Sequence, residues 1–247
     1  MSEAKEWGRE HWQAFQFESP ESLASGVAKQ FLAAFNPTEG RRSIGLSGGR
    51  ITEKLFRELV SQSEACDYDW SGFDFFWADE RCVPLDDAAS NFRLAKELLF
   101  DPLKIASEQM FPFAGGKDPA VMAAEGSRMM ENYFGTGKPD LSSLDLVFLG
   151  MGEDGHIASL FPENRESDLE QRALCYDVIA SKPPPNRITL SYPLIKEAQE
   201  VWLVVSGAGK APVLKDALQG RGDTPLKELL AMRSMTKVFT DLDLADL

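Results

Sequence analysis

One histidine beside a glycine-rich turn is the residue best suited to chemistry in this sequence. The stretch GMGEDGHIASLFP (150–162) follows the apolar run LDLVFL, and His156 comes directly after its third glycine. The other histidine of the chain, His11, lies in a polar N-terminal segment. Because imidazoles titrate near neutral pH, His156 could act as a general base, and Asp154 could orient it. A histidine and an aspartate that merely stabilise the turn are the alternative, and the residue types alone favour neither.

The same glycines also spell the G-x-G-x-x-G pattern of dinucleotide-binding proteins. That pattern requires a full helix after the third glycine and an acidic residue about twenty positions further on. Glu170 has a suitable spacing, but Pro162 interrupts the required helix, and residues 163–172 are too polar for a buried βαβ unit. We therefore interpret Gly152 and Gly155 as permitting a tight turn whose backbone N–H groups face a ligand, without NAD or flavin.

Two more turns carry groups that could bind a ligand. LSGGR (46–50) joins a predicted strand to a predicted helix, and such a turn can present N–H groups and a positive helix end to a phosphate. WADERCVP (77–84) places two acids and an arginine at the end of an apolar strand. Arg187 and Lys210 add positive charge at predicted element boundaries. An ordinary turn and solvated surface charges are the alternatives at these positions.

The elements that must position these residues follow from hydrophobic periodicity and helix caps. Strand-sized apolar segments alternate with helical ones, which predicts a single α/β domain over 1–247 with a Rossmann-like, mostly parallel sheet and helices on both faces. We expect residues 1–18 to pack loosely. Ligands bind beyond the carboxyl ends of such strands, so the three turns should share one rim. The predicted helices are 19–35, 51–60, 90–100, 119–134 and 210–219, and the predicted strands are 43–47, 73–80, 144–150, 187–191, 201–207 and 236–240.

Composition narrows the range of partners. The formal charge is −13, from 26 basic and 39 acidic residues, which argues against nucleic acid or an anionic membrane. An anionic substrate would need a local cluster of Arg and Lys. Three cysteines without a C-x-x-C pair predict neither a disulfide framework nor a zinc site, and no set of metal ligands is visible. The polar N-terminus and the strand-sized apolar runs predict a cytoplasmic protein.

Five segments in order resemble the 6-phosphogluconolactonase family and cover most of the chain. The resemblance implies a fold shared with sugar-phosphate isomerases and deaminases. It also implies hydrolysis of 6-phosphoglucono-δ-lactone to 6-phosphogluconate in the pentose phosphate pathway, without metal or organic cofactor. The expected partner is this small phosphosugar lactone, and we expect a monomer or a weak homodimer. The segments are SGG (47–49), DERCVPLDDAASNFRLA (79–95), GMGEDGHIASLFP (150–162), RITLSYPLI (187–195) and GAGKAPVL (207–214).

The resemblance also implies roles for individual residues. His156 matches the general base, with Asp154 beside it, and Arg81 completes the expected catalytic set. Similar proteins usually read S-G-G-[SR]-T-P, whereas Ile51 here lacks the threonine hydroxyl, so Thr52 or the Arg50 guanidinium could take over a phosphate contact. The expected substrate-binding residues are Ser47, Gly48, Gly49, Arg50, Asp79, Asn91, Gly152, Gly155, Arg187 and Lys210.

Lactone hydrolysis agrees with this set of residues. An activated ester needs an oriented water, one base, donors for the developing oxyanion and an anchor for the phosphate. A deaminase-isomerase acting on glucosamine 6-phosphate is one alternative, but its turn continues as G-H-I-A-F-N-E-P, which residues 158–162 do not match. A non-catalytic sugar-phosphate sensor is another, although the short acidic N-terminus leaves no room for a helix-turn-helix.

Overall fold

Two sheets organise the molecule, which a computed structural model describes over residues 4–35, 40–135 and 143–245. A seven-stranded sheet has the order β1-β2-β10-β9-β6-β3-β4, and a three-stranded sheet has the order β5-β8-β7. The strands are β1 (Lys5–Arg9), β2 (Trp12–Gln16), β3 (Arg42–Leu46), β4 (Phe73–Trp77), β5 (Asp79–Arg81), β6 (Leu146–Leu149), β7 (Cys175–Ile179), β8 (Asn186–Leu190), β9 (Glu200–Val205) and β10 (Thr236–Thr240).

All neighbours in the larger sheet are parallel except β1 and β2. Every residue of β4 and β6 is buried, as is nearly all of β9. Successive side chains of a strand point to opposite faces, so both faces of the central strands are covered. Trp202 on β9 contacts Phe148 on β6 and Phe239 on β10 within this core. The predicted mostly parallel α/β sheet is confirmed.

Side chains cap the N-termini of the helices that begin at Pro20, Asn91, Pro119, Tyr192 and Pro225. Ser19 and Asp118 accept backbone N–H groups at the starts of the two longest predicted helices, and a proline occupies the first position of each. The predicted helix over 90–100 is a short helix followed by a wider π-helical turn over Lys96–Phe100. The helices are α1 (Pro20–Ala34), α2 (Arg50–Glu64), α3 (Asn91–Ala95), α4 (Asp101–Leu103), α5 (Pro119–Phe134), α6 (Arg165–Glu170), α7 (Tyr192–Glu197), α8 (Ala211–Leu218) and α9 (Pro225–Met232).

The N-terminal segment corrects one expectation. Residues 5–16 form the β1–β2 hairpin, and β2 adds to the large sheet alongside β10. Trp12 and Phe15 are buried, and Trp12 Nε1 donates a hydrogen bond to the carbonyl of Leu218 at 3.0 Å. The prediction of loose packing is wrong for β2, where Trp12 and Ala14 are buried on one face and Phe15 on the other. Most of β1 is exposed. That residues 1–247 form a single domain stays a prediction.

The smaller sheet gives the second correction. The predicted strand over 73–80 ends at Trp77, and β5 begins two residues later as an antiparallel partner of β8. Arg187 therefore lies in this antiparallel sheet, with Arg81 opposite it in register. Neither β7 nor the helices α6, α7 and α9 was predicted, since each is short and carries only a weak periodic signal.

The carboxyl ends of β9, β6, β3 and β4 lie side by side in the larger sheet. Residues 47–50, 79–81 and 150–156 follow three of these strands, and residues 206–210 follow the fourth. Members of all four segments line one cavity, so the predicted shared rim is confirmed. Among the described residues, no helix has the length and apolar character required to cross a bilayer.

Candidate active site

A cavity of about 490 Å³ opens at this rim. The structure brings most of the predicted site residues together there, and it adds Lys54 and Ser206, which sequence reasoning missed. Asp154 and Gly155 are predicted site residues that do not line the cavity. The predicted residues that do line it are Ser47, Gly48, Gly49, Arg50, Asp79, Arg81, Asn91, Gly152, His156, Arg187 and Lys210.

His156 and Asp154 form a close pair at the edge of the cavity. The Asp154 carboxylate accepts a hydrogen bond from His156 Nδ1 at 2.5 Å, and its other oxygen lies 2.7 Å from Lys182 Nζ. Burial alone would raise the pKa of the Asp154 carboxyl, but the hydrogen bonds from His156 and Lys182 outweigh burial and hold it well below its ordinary value. The ionised carboxylate places the imidazole proton on Nδ1, so Nε2, which has no hydrogen-bond partner among the described residues, can accept a proton.

The backbone of this turn corrects the expectation that the N–H groups of Gly152 and Gly155 face a ligand. Gly152 N donates to the carbonyl of His156 at 2.9 Å, and Gly155 N donates to the carbonyl of Gly152 at 3.1 Å. A Cβ on Gly152 would lie 2.1 Å from the His156 ring, so only glycine admits the imidazole there. Gly155 packs behind the turn against Thr224, away from the cavity. The amides of Gly152 and Gly155 are therefore already hydrogen-bonded, and the turn presents the side chain of His156 to the cavity.

No long helix follows the third glycine of this turn. Instead, Ile157 forms isolated bridges with Met151 and with Leu160. A single 3₁₀ turn over Pro162–Asn164 precedes the six-residue helix α6. The helix that the dinucleotide pattern requires is absent from this stretch, because the chain folds back on itself after Gly155.

The loop over 47–50, which precedes α2, differs from the turn over 150–156. The first N–H groups of α2 have no capping side chain. Gly49 is the N-cap of α2, and no side chain there accepts a hydrogen bond from the first turn of the helix. The Ser47 hydroxyl donates to the carbonyl of Phe148 at 2.8 Å, and the Thr52 hydroxyl donates to the carbonyl of Gly48 at 3.0 Å. Both hydroxyls are thus used within the protein, and Ile51 has none. The hypothesis that Thr52 replaces the missing hydroxyl is not supported by this geometry.

Two basic side chains face the cavity at this end without a partner. Neither Arg50 nor Lys210 forms a hydrogen bond or salt bridge with any residue that the structure describes. Burial lowers the pKa of the Lys210 ammonium, and the positive charge of Arg50 lowers it further. Lys54 also lines the cavity but is paired with Glu21 at 2.8 Å. Two repelling cations beside free helix N–H groups create a strong preference for an anion.

Asp79 and Asn91 build the wall near β5. Ser159 Oγ donates to Asp79 Oδ2 at 2.7 Å, and Asn91 Nδ2 donates to the Asp79 carbonyl at 2.9 Å. Arg187 lies 4.0 Å from Asp79 and over the ring of Phe161, which also packs against His156. Phe161 therefore packs between Arg187 and His156, and Arg187 in turn lies beside Asp79.

Glu80 is a buried residue that the motif contains but that was not predicted to have a role. Its carboxylate accepts hydrogen bonds from the backbone N–H groups of Arg81, Asn91 and Phe92 at 2.7–2.8 Å and from the Ser90 hydroxyl at 3.1 Å. Burial raises the pKa of this carboxyl, although the three N–H groups lower it in part. Glu80 thus fixes the start of α3 and the position of Asn91. Its placement between Asp79 and Arg81 was the available signal.

The described residues contain no group of three or more His, Cys, Asp or Glu side chains that could hold a metal ion. Cys82 does not line the cavity, and burial raises the pKa of its thiol to about 11, so it is a poor nucleophile. The chemistry available at the site is proton transfer by a carboxylate-oriented imidazole next to a region that binds anions.

Comparison with known proteins places this arrangement in a family. The model of the glucosamine-6-phosphate isomerases/6-phosphogluconolactonase family matches residues 18–237. A 6-phosphogluconolactonase of Mycobacterium tuberculosis is 36% identical over 215 residues, which cover 83% of this chain and 85% of that protein. A 6-phosphogluconolactonase of Streptomyces coelicolor is 32% identical over 192 residues, covering 75% of this chain and 74% of that protein.

A solved structure of another 6-phosphogluconolactonase has a similar fold. The crystal structure of a 6-phosphogluconolactonase from Shewanella baltica superposes with a TM-score of 0.76 at 30% identity, covering 93% of this chain and 96% of that chain. The chain belongs to the glucosamine-6-phosphate isomerase/6-phosphogluconolactonase family.

Proposed function

We propose that this protein hydrolyses 6-phospho-D-glucono-1,5-lactone to 6-phospho-D-gluconate. The observation that carries the proposal is the His156–Asp154 pair, 2.5 Å apart, at one side of a cavity whose other side holds unpaired basic groups. The relatives from Mycobacterium tuberculosis, Streptomyces coelicolor and Shewanella baltica, all described as 6-phosphogluconolactonases, support it.

The base chemistry follows from the tautomer that Asp154 imposes. Neutral Nε2 of His156 accepts a proton from a water molecule as the water oxygen bonds to the lactone carbonyl carbon. The bond from that carbon to the ring oxygen then breaks, and the imidazolium returns the proton to the ring oxygen, which leaves as a hydroxyl group. The carboxylic acid product ionises at neutral pH, so each turnover releases one proton to solution.

The phosphate fits the opposite side of the cavity. Arg50 and Lys210 repel one another while the site is empty, and a phosphate dianion would pair with both. The N–H groups at the start of α2 would add donors without a side-chain hydroxyl. Arg50 therefore compensates for the absence of a hydroxyl at Ile51.

The remaining basic groups lie on the small sheet. Arg81 and Arg187 face each other across β5 and β8 and line the cavity beside Asp79 and Asn91. Arg187 is held by Asp79 and by the carbonyl of Pro184, at 3.0 Å, so its charge is fixed before substrate arrives. We assign these four residues to binding the sugar ring and stabilising negative charge on the carbonyl oxygen.

The direct test is proton release from freshly generated 6-phosphogluconolactone, measured with and without protein over the spontaneous background. We expect rapid release with the wild type and no release of ammonia from glucosamine 6-phosphate. Ammonia release without lactone hydrolysis would instead support a deaminase-isomerase activity on glucosamine 6-phosphate, whose isomerases the family description also names. Our proposal further includes a cytoplasmic location and a monomer or weak homodimer, which fractionation and light scattering would test.

A further inference from the structure

Lys182 lies outside the cavity but contacts the residue that orients the base. Its ammonium group is 2.7 Å from Asp154 Oδ2, while Asp154 Oδ1 is 2.5 Å from His156 Nδ1. One carboxylate therefore connects an ammonium group on one side with the imidazole on the other. Lys182 does not line the cavity, and its hydrogen bond to the catalytic pair is made through Asp154.

We propose that Lys182 is a positioning residue, which holds Asp154 in the orientation that His156 requires and offsets part of the carboxylate charge. The inference rests on the proposed function, because it concerns the same base. It adds a third member to the pair, contributed by a separate loop between β7 and β8.

The loop that carries Lys182 is itself anchored. Residues 183–185 are three consecutive prolines, which restrict the backbone. The guanidinium of Arg187 donates hydrogen bonds to the carbonyl of Pro184 at 3.0 Å and to the carbonyl of Lys182 at 3.4 Å. Arg187, which lines the cavity, thus fixes the backbone of Lys182, and the side chain of Lys182 contacts Asp154. Restricting the loop in advance reduces the entropy lost when the lysine side chain is ordered.

The electrostatic consequence falls on Asp154. Burial alone would raise the pKa of its carboxyl, but the hydrogen bonds from His156 and Lys182 outweigh burial and hold that pKa well below its ordinary value. Asp154 therefore stays ionised and keeps the imidazole proton on Nδ1, which leaves Nε2 to accept a proton. The charged side chains that line the cavity with His156 are Arg50, Lys54, Asp79, Arg81, Arg187 and Lys210.

The chain offers a matched control for removing this lysine. Lys117 pairs with Glu125 at 2.7 Å, and its side chain is 48% exposed, against 2.7 Å and 46% for Lys182. Neither Lys117 nor Glu125 lines the cavity. Lys117→Met therefore removes an equivalent surface ion pair at a distance from His156.

The test follows the imidazole directly by NMR in the free protein, which contains two histidines. We expect Lys182→Met to weaken the hydrogen bond between His156 Nδ1 and Asp154, which broadens or shifts the Nδ1–H resonance of His156. The ring signals of His11 should not change, and Lys117→Met should leave the signals of both histidines in place. Lys182→Arg should restore the wild-type resonance of His156.

The same variants are then compared by kcat and KM for the lactone. We expect kcat of Lys182→Met to fall roughly two- to fivefold, the size expected for a half-exposed ion pair, with a smaller change in KM. Identical Nδ1–H resonances and kcat values in Lys182→Met, Lys117→Met and the wild type would overturn the inference. Lys182→Gln gives the same test if the methionine variant does not fold. An inactive wild type whose His156 resonance still responds to Lys182→Met would contradict the proposed function and leave this inference supported.

Discussion

Two glycine-rich turns at neighbouring strand ends use their backbones in opposite ways. The turn over 150–156 consumes the N–H groups of Gly152 and Gly155 internally and presents the side chain of His156. The loop over 47–50 commits the Ser47 hydroxyl to the protein and leaves the first N–H groups of α2 without a capping side chain. Glycine content therefore does not distinguish a turn that presents a base from one that binds an anion. The distinction depends on which groups the rest of the fold already satisfies.

The largest effect is expected from the turn that presents the base. His156→Asn keeps a hydrogen-bonding side chain of similar size but removes the base, so we expect kcat to fall roughly a hundredfold to ten-thousandfold. KM should change little, because the phosphate end is intact. The measurement is initial-rate kinetics after subtraction of spontaneous lactone opening, with thermal unfolding to verify the fold.

His11→Gln is the control for that experiment, since His11 lies at the β1–β2 turn and its ring contacts the carbonyl of Arg233. It should leave both the rate and its rise with pH in place. A folded His156→Asn protein with most of its activity would rule out the proposed base. A variant that unfolds would indicate that the histidine mainly secures the turn.

The anion-binding loop should respond in KM rather than in kcat. Arg50→Ala and Lys210→Ala each remove a charged donor that would grip the phosphate alike in the ground and transition states. We expect KM to rise roughly tenfold to a hundredfold in each, with a smaller change in kcat. Ile51→Thr, which adds a hydroxyl at the start of α2, should partly restore KM in Arg50→Ala. Normal KM values in both alanine variants would place the phosphate elsewhere.

A smaller effect, on phosphate binding, is expected at alkaline pH. It concerns the end of the cavity where Lys210 lies. Because burial and Arg50 lower the pKa of Lys210, its ammonium group loses its proton below the ordinary lysine value of 10.5. Phosphate binding should therefore weaken as pH rises through that lowered pKa. Calorimetric titration with 6-phosphogluconate should show an affinity loss of a few-fold that Lys210→Arg removes. An equal loss in the arginine variant would assign the effect to another group.

The smallest expected effect is that of a chelator. The described residues offer no cluster of metal ligands in either turn, so EDTA should leave kcat and KM unchanged. The measurement is activity before and after chelation and dialysis. Loss of activity that a divalent ion restores would require a different account of both regions.

Local patterns were sufficient for the longer helices, the central strands and the rim. The Ser19 cap and helical periodicity predicted α1, Gly135 marked the end of α5, and continuous apolar runs predicted β4, β6 and β9. These signals extend over a few residues, so they can be read along the chain. His156 was recognisable because a titratable residue followed a strand and a glycine turn. The expected roles of the individual site residues came from the resemblance to the 6-phosphogluconolactonase family.

Contacts between distant residues were decided by the tertiary structure. Lys182 is 28 positions from Asp154, and the pairing of β5 with β8 joins Arg81 to Arg187 across more than a hundred residues. Whether a turn's N–H groups are free also depends on partners that no local pattern specifies. Amino-acid types and spacing thus determined which groups could do chemistry and at which end of the sheet. The packed fold alone determined which of them are already hydrogen-bonded and which remain available, because hydrogen bonding and burial depend on neighbours in space.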